Sequence, residues 1–203
     1  MLENIHWLGH ASIKISAERL IYIDPWKLGK DEPTADLILI THAHYDHCSP
    51  EDVQKICGEQ TTVVCPADCV EKLPGKIETI RPGERLAVEG IQIEAVPAYN
   101  VNKAFHPRAN GWVGYIVTVG GKRIYHAGDT DLIPEMEQLK VDVAMLPVGG
   151  TYTMDAREAA EAANRITPQV AIPIHWGDIV GSVRDAEKFS QLCQVPVEIK
   201  QKS

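Results

Sequence analysis

Long apolar runs are missing from this 203-residue sequence, and none approaches the roughly 20 residues that a transmembrane helix needs. The amino terminus, Met1-Leu2-Glu3-Asn4, also lacks the basic and apolar regions of a signal peptide. We therefore expect a cytoplasmic protein with no membrane partner. No linker or low-complexity tract divides the chain, so residues 1–203 are expected to form a single domain that buries its own core.

Positive charge is in the minority, with 20 Lys and Arg residues against 28 Asp and Glu residues and a formal net charge of −8. Proteins that bind nucleic acids generally do so through basic contacts with phosphates. The composition therefore argues against a nucleic-acid partner.

The cysteines do not form a disulfide pattern, because the five of them are odd in number and irregularly spaced. Without an export signal, reduced thiols are expected. Cys65 and Cys69 could face each other on a helix as a metal pair, but two small buried residues are the simpler interpretation.

Metal-ligand side chains are concentrated in one stretch, which follows the apolar run 37–40 and reads Thr41-His42-Ala43-His44-Tyr45-Asp46-His47. His42 and His44 lie two residues apart, so on extended backbone they project to the same side. Imidazole nitrogen and carboxylate oxygen, without thiolate, suit zinc, with manganese or iron as alternatives. A polar strand end with surface histidines is the other interpretation of the stretch.

This motif, His-x-His-x-Asp-His after a buried strand, resembles the signature of the metallo-β-lactamase superfamily of dinuclear metal hydrolases. The resemblance implies an α+β fold, a four-layer αββα sandwich in which two β-rich halves meet at a metal site along one edge. It also implies two divalent ions, with zinc expected. His42 and His44 would hold the first ion, and Asp46 and His47 would hold the second.

By the same resemblance, a third histidine, a bridging aspartate and a last histidine should follow downstream. Asn100 stands where the third histidine is expected, and we expect a longer loop to bring His106 to the first ion. A loop histidine near the substrate is the alternative role for His106. Asp129, in His126-Ala127-Gly128-Asp129-Thr130, would bridge the ions, and His175, after the apolar run 170–174, would complete the second site.

Two residues ahead of the motif also resemble positions of the family. His10, in Trp7-Leu8-Gly9-His10-Ala11-Ser12, resembles the opening of the branch that contains ascorbate-6-phosphate lactonase, where it would border the cleft as a substrate contact. A hydrogen-bonded turn residue is the alternative. Asp24 resembles the acid that orients metal-binding loops and fixes histidine tautomers, with turn capping as its alternative. By the family pattern His126 lies one residue too early for a ligand, and either a buried position or a contact with a ligand residue is expected.

Binding of an anionic group is expected at Gly149-Gly150, which follows a buried strand and precedes a helix. Free backbone N–H groups there, together with the helix dipole, would form an anion-binding concavity. Lys103 and Arg108 could close over the same group from the other side. A tight turn with two solvated basic residues is the alternative.

The remaining pattern predicts short strands and few helices. Apolar alternation or continuous apolar runs predict strands at 5–7, 12–15, 20–23, 37–40, 61–65, 77–80, 85–88, 91–96, 111–119, 122–125, 141–146, 170–174 and 197–199. Capping residues and helical spacing predict helices that begin at Ser49-Pro50 and that span 68–73, 134–139, 155–166 and 185–192.

Together these features predict a dinuclear metal-dependent hydrolase that uses a metal-activated water on a small ester, lactone or phosphodiester. Asp46 would be catalytic, orienting the water and moving its proton. Two dications less two aspartates and one hydroxide leave a positive centre, so an anionic small-molecule substrate is expected. A metal-dependent RNA or DNA nuclease and a non-catalytic metal-binding module are the alternatives. A diiron redox protein of this superfamily would carry glutamate in place of His44. The oligomeric state stays open.

Overall fold

The computed structural model describes residues 2–203. Met1 belongs to the predicted domain and to the amino-terminal stretch discussed above, and it lies outside the described residues. Within that range the chain forms twelve strands in two six-stranded sheets. No helix among these residues combines the length and the apolar character needed to cross a bilayer.

The first sheet comes from the amino-terminal half and keeps its strands in chain order. They are β1 (Ile5–Gly9), β2 (Ser12–Ser16), β3 (Leu20–Ile23), β4 (Leu37–Leu39), β5 (Thr62–Cys65) and β6 (Lys76–Thr79). The first three strands pair antiparallel, and β3 to β6 pair parallel.

The second sheet repeats this plan with the rest of the chain. Its strands are β7 (Arg85–Val88), β8 (Ile91–Pro97), β9 (Val113–Val119), β10 (Lys122–His126), β11 (Val143–Pro147) and β12 (Val170–Ile174). The strands from β7 to β10 pair antiparallel, and β10 to β12 pair parallel. The predicted edge strand at 197–199 is wrong, since it forms only an isolated bridge from Val197 to Ala171.

The chain has three α-helices among the described residues, α1 (Pro50–Ile56), α2 (Ala156–Ile166) and α3 (Val183–Leu192). Short 3₁₀ helices span Leu2–Asn4, Ala67–Lys72, Arg108–Asn110 and Pro134–Gln138. The helices predicted at 68–73 and 134–139 are therefore short 3₁₀ helices and not α-helices, because prolines and the short connections leave no room for a longer helix.

Four layers follow from the way successive strand residues point to opposite faces. In β4, Leu37 and Leu39 join the large core cluster that includes the second sheet, whereas Ile38 packs with Val53 and Ile56 of α1. A strand buried on both faces needs an unbroken apolar run, which explains the sequence at 37–40. Helices α2 and α3 pack on the second sheet. The predicted αββα sandwich is thus confirmed.

Helix α1 begins directly after the histidine-rich motif, as predicted. Ser49 is its N-cap and accepts a hydrogen bond from the Asp52 N–H, while Pro50 occupies the first turn. The Asp52 carboxylate in turn accepts from the backbone N–H groups of Lys27 and Leu28 at 2.9 and 3.0 Å. The motif loop is therefore held between a strand and a capped helix.

The two sheets are joined at one edge, close to the carboxyl ends of their parallel strands. The N–H of Val113 donates to the Thr41 carbonyl at 3.1 Å, and the hydroxyl of Tyr115 donates to the Ile40 carbonyl at 2.9 Å. The N–H of His175 donates to the His10 carbonyl at 2.7 Å. Loops from both halves of the chain consequently meet at this edge.

Candidate metal centre

Two groups of ligand side chains meet where the sheets join. In the first group the ligand atoms of His42, His44, His106 and Asp129 all lie within 4.8 Å of one another. In the second group the same holds for His10, Asp46, His47 and His175. The structure thus brings together all seven residues predicted as ligands, and it adds His10.

Asp129 lies between the two groups. Its Oδ2 is 3.2 Å from Nε2 of His106 and 3.1 Å from Nε2 of His175. Its Oδ1 is 3.3 Å from Nε2 of His47. One carboxylate therefore faces histidines of both groups, which is the position that a bridging ligand requires.

Asn100 does not take the place of His106 as a ligand but holds it through hydrogen bonds. The Asn100 side-chain oxygen accepts from the His106 N–H at 2.9 Å and lies 3.2 Å from its ring Nδ1. The Asn100 side-chain nitrogen donates to the buried Asp131, which also accepts from the Val101 N–H. The loop from 100 to 106 thus turns the His106 Nε2 toward Asp129. Asp131 went unnoticed in the sequence because Asp-Thr-Asp after a strand is typical of ordinary turns.

Asp24 contacts the motif loop at both of its ends, at Thr41 and at His47. It is fully buried, and its carboxylate accepts from the Thr41 N–H at 2.8 Å and the Thr41 hydroxyl at 2.7 Å. Its Oδ2 also lies 2.7 Å from the His47 Nδ1, so this nitrogen carries the proton and donates. With its oxygens engaged in this way, Asp24 supports the loop, although it lies close enough to His42 and His47 to form a third group.

The donor atoms of both groups fit divalent metal ions. Among the described residues, the buried side-chain atoms without a hydrogen-bond partner include His47 Nε2, His106 Nε2, Asp129 Oδ1 and both ring nitrogens of His175. Buried polar groups are rarely left unpaired, because losing water without a replacement is costly. Nitrogen and carboxylate donors of this kind are ligands of zinc, manganese and iron.

Burial and mutual charge set the protonation of the cluster. Burial lowers the pKa of His42 well below its usual value, and the neighbouring His47 lowers it further. Burial by itself would raise the pKa of Asp129, but His175 and His47 hold it well below its usual value. The lowered pKa values leave His42 neutral and Asp129 ionised near neutral pH, and these are the forms in which the two side chains bind metals.

Backbone strain is concentrated at this edge. His10, Asp24 and His175 adopt positive φ angles of 51°, 48° and 59°, a region that residues other than glycine rarely adopt. Each of them directly follows a strand or lies in a strand-connecting turn. Strained backbone of this kind persists where the surrounding contacts hold it, and it is common at functional sites.

A cleft of about 240 Å³ opens onto the two groups. Its floor is formed by ligand residues, and its wall by four side chains that the sequence analysis missed, Tyr45, Phe105, Tyr152 and Ile179. Trp112, also missed, packs against the rings of His42 and His44 at 5.0 and 4.8 Å between centroids. No spacing rule identifies such residues, because they come from separate loops.

Lys103 and Arg108 do not line the cleft, which corrects their expected position. Lys103 Nζ lies 2.6 Å from Asp131, and Arg108 pairs with Glu135 at 3.0 Å and lies over the Tyr99 ring. Both charges are instead paired with acids outside the cleft lining.

The expected anion site at Gly149-Gly150 also needs correction. The Gly150 N–H donates to the Met154 carbonyl, and the amino terminus of α2 is capped by the Asp155 carboxylate. A carboxylate in that position takes the place that an anion would occupy. Gly149 instead packs against His175, since an added Cβ would lie 2.5 Å from its carbonyl oxygen.

His10 and His126 are both buried but differ in their surroundings. His10 Nε2 lies 3.0 Å from Asp46 Oδ2, so His10 contacts a predicted ligand below the cleft surface. His126 Nε2 donates to the Ala11 carbonyl, and its Nδ1 accepts from the Gly128 N–H. His126 therefore belongs to the packing between the sheets, as the sequence suggested.

Comparison with known proteins places the chain in a family. A model described as the beta-lactamase superfamily domain matches residues 4–175. A protein named UPF0173 metal-dependent hydrolase from Thermoplasma acidophilum is 35% identical, with 94% of this chain and 92% of the relative covered. Another of that name from Pyrococcus abyssi is also 35% identical, over 93% and 91% of the two chains.

Solved structures agree with this placement. A protein from Parabacteroides distasonis assigned as a metal-dependent hydrolase matches with a TM-score of 0.87 and 34% identity, covering 98% of this chain and 93% of that one. Igni18, a metallo hydrolase from Ignicoccus hospitalis, matches with a TM-score of 0.77 and 25% identity over 98% and 95%. The chain therefore belongs to the metallo-β-lactamase superfamily.

Proposed function

We propose that the protein is a hydrolase that acts through two divalent metal ions on a small ester, lactone or phosphodiester. The observation that carries the proposal is the place of the Asp129 carboxylate, which faces His106 and His175 with one oxygen and His47 with the other. Relatives with 35% identity over nearly the whole chain are named metal-dependent hydrolases, which confirms the predicted enzyme class.

The residues divide into two ligand sets joined by Asp129. His42, His44 and His106 would hold one ion, and Asp46, His47 and His175 the other. Divalent ions held there, with zinc as the first candidate, would lower the pKa of a bound water and polarise the carbonyl or phosphoryl oxygen of a substrate.

Asp46 is the residue proposed to handle the proton of the attacking water. It lines the cleft, and its Oδ2 accepts a hydrogen bond from His10 Nε2. Burial would raise its pKa, but that hydrogen bond and the neighbouring His47 lower it. Asp46 is therefore ionised near neutral pH and can accept from a water while His10 holds the carboxylate in place.

Metal analysis with a substrate panel tests the proposal. Purified protein should contain two equivalents of metal, and a chelator should abolish the hydrolysis of at least one substrate in a panel of esters, thioesters, lactones and phosphodiesters. Zinc, manganese or iron should restore the rate. The panel includes RNA and DNA, because the sequence leaves a metal-dependent nuclease as the alternative.

Variants separate the roles within the site. Asp46→Asn should lower kcat by roughly 10²–10⁴-fold, the usual contribution of a general base, whereas Asp31→Asn at an exposed position should not change it. Activity that survives both the chelator and Asp46→Asn would exclude the proposed mechanism. Two bound metals without activity on any substrate would favour the non-catalytic alternative.

A further inference from the structure

We propose that the cleft selects substrates that carry a compact, uncharged aromatic or branched apolar group beside the bond that is cleaved. This inference rests on the proposed function only for placing the reacting group at the metal centre. It concerns the wall of the cleft, which neither the family nor the ligand set specifies.

The wall is apolar where it rises above the ligands. Phe105 and Tyr152 meet edge to face with ring centroids 4.7 Å apart, and Tyr45 and Ile179 complete the lining. The chain has only two phenylalanines, and one of them stands here with 47% of its surface exposed. Tyr45 is 67% exposed. Large apolar side chains exposed around a concave site are typical of ligand contacts.

No lysine or arginine lines the cleft within residues 2–203. The basic residues on adjoining loops are engaged elsewhere, Lys103 with Asp131, Arg108 with Glu135 and Lys27 with Asp178. Lys72 donates to the Ala43 carbonyl. A second anionic group on the substrate would therefore have no cationic partner in the wall, whereas an apolar group would bury surface against the aromatic rings.

The size of the cleft limits the group that it accepts. Small-molecule sites usually have volumes of roughly 300–1,000 Å³, and this cleft, with about 240 Å³, is slightly smaller. The ligand residues take part of the lining, so the wall has room for one ring or a branched alkyl group. A long acyl chain or a nucleic-acid strand would extend beyond it.

Paired hydroxamates test the inference without requiring turnover, because the hydroxamate binds metal while its substituent reaches the wall. Calorimetry would compare phenylacetohydroxamate, acetohydroxamate and succinohydroxamate on the metal-loaded protein. The phenyl compound should bind at least about tenfold more tightly than the methyl compound, equivalent to about 1.4 kcal/mol. The carboxylate-bearing compound should gain no such advantage.

Phe105→Ala and Tyr152→Ala should bring the phenyl-to-methyl affinity ratio toward one while two metals stay bound. Val101→Ala is the matched control, since Val101 is exposed on the same loop but does not line the cleft. It should leave the ratio unchanged. Unfolding curves of each variant would show that the fold is retained.

The inference would be overturned by equal affinities for the three hydroxamates, by tighter binding of the carboxylate-bearing one, or by no binding of any. A phenyl preference in a protein that hydrolyses nothing would refute the proposed function but not the inference. If aromatic and acetyl esters are hydrolysed at equal kcat/KM and binding shows no phenyl preference, the inference is refuted but the proposed function is not.

Discussion

The Nδ1 atom of His47 lies 2.7 Å from Oδ2 of Asp24, and both side chains are fully buried. Asp24 also accepts from the Thr41 N–H, so one carboxylate positions the beginning of the motif loop and the ring at its end. The pKa of His47 would be lowered by burial, but Asp129 and Asp24 together raise it well above its usual value.

Asp24→Asn should lower metal affinity by about 10–100-fold, the usual effect of losing an outer partner of a metal-binding histidine. An amide can still accept from Thr41, but its nitrogen would face the His47 Nδ1–H, and two donors cannot pair. Competition with a chelator measures the affinity, and the exposed Asp31→Asn is the control. Unchanged affinity would show that Asp24 only caps a turn.

His106→Ala should reduce the bound metal from two equivalents toward one with the fold retained, because the ring Nε2 of His106 faces Asp129 and has no other hydrogen-bond partner. His126→Ala is the contrasting variant. It removes two buried hydrogen bonds and should lower the free energy of unfolding by about 1–3 kcal/mol without changing the metal content. Metal analysis would measure the metal content of both variants, and urea unfolding would measure their stability. Two bound metal equivalents in His106→Ala would instead make His106 a substrate contact.

Gly149→Ala should weaken the second ion although Gly149 is not a ligand. The new Cβ would lie 2.5 Å from the His175 carbonyl oxygen, so His175 or the strand must shift, at a cost of about 1–3 kcal/mol. Gly29→Ala is the matched control, because its Cβ would meet nothing within 4 Å. Chelator competition and thermal unfolding would compare them, and similar behaviour of the two variants would contradict the expected role of Gly149.

Asp52 should contribute to stability in a pH-dependent way. Burial would raise the pKa of Asp52, but hydrogen bonds from Lys55, Ser49 and two backbone N–H groups lower it below the usual 3.8. The pKa of Asp52 is thus lower in the folded chain than in the unfolded chain. Its contribution to the free energy of unfolding is therefore complete above the unfolded-state pKa and is lost as the pH falls through the folded-state pKa.

Asp52→Asn should therefore be less stable than the native chain by about 1–3 kcal/mol at pH 7, and the difference should shrink as the pH falls below the usual pKa of 3.8. Urea unfolding with a chelator present, from pH 7 down to pH 3, excludes effects of metal loss. A difference that stays constant with pH would show that the ionised carboxylate is not the stabilising form.

Local sequence determined much of this protein. The apolar run at 37–40 predicts the doubly buried strand at 37–39, and Ser49-Pro50 predicts the start of a helix, because each follows from neighbours within a few residues. The expected placing of His42 and His44 side by side also holds, with Nε2 of His42 3.1 Å from Nδ1 of His44, although the backbone there bends instead of staying extended. The superfamily and its αββα fold followed from the resemblance of the motif. The position of every predicted ligand in a single cluster matches what that resemblance implies.

Only the tertiary structure decided which side chains surround the cluster. Asn100 could be judged from the sequence only as a missing ligand, yet it holds His106. Lys103 and Arg108 pair with acids that lie 28 and 27 residues further along the chain. Phe105, Tyr152 and Ile179 come together from separate loops. Contacts of this kind depend on how loops from the two sheets pack against each other. No periodicity or spacing within one segment carries that information, because the interacting residues are brought together only when the sandwich closes.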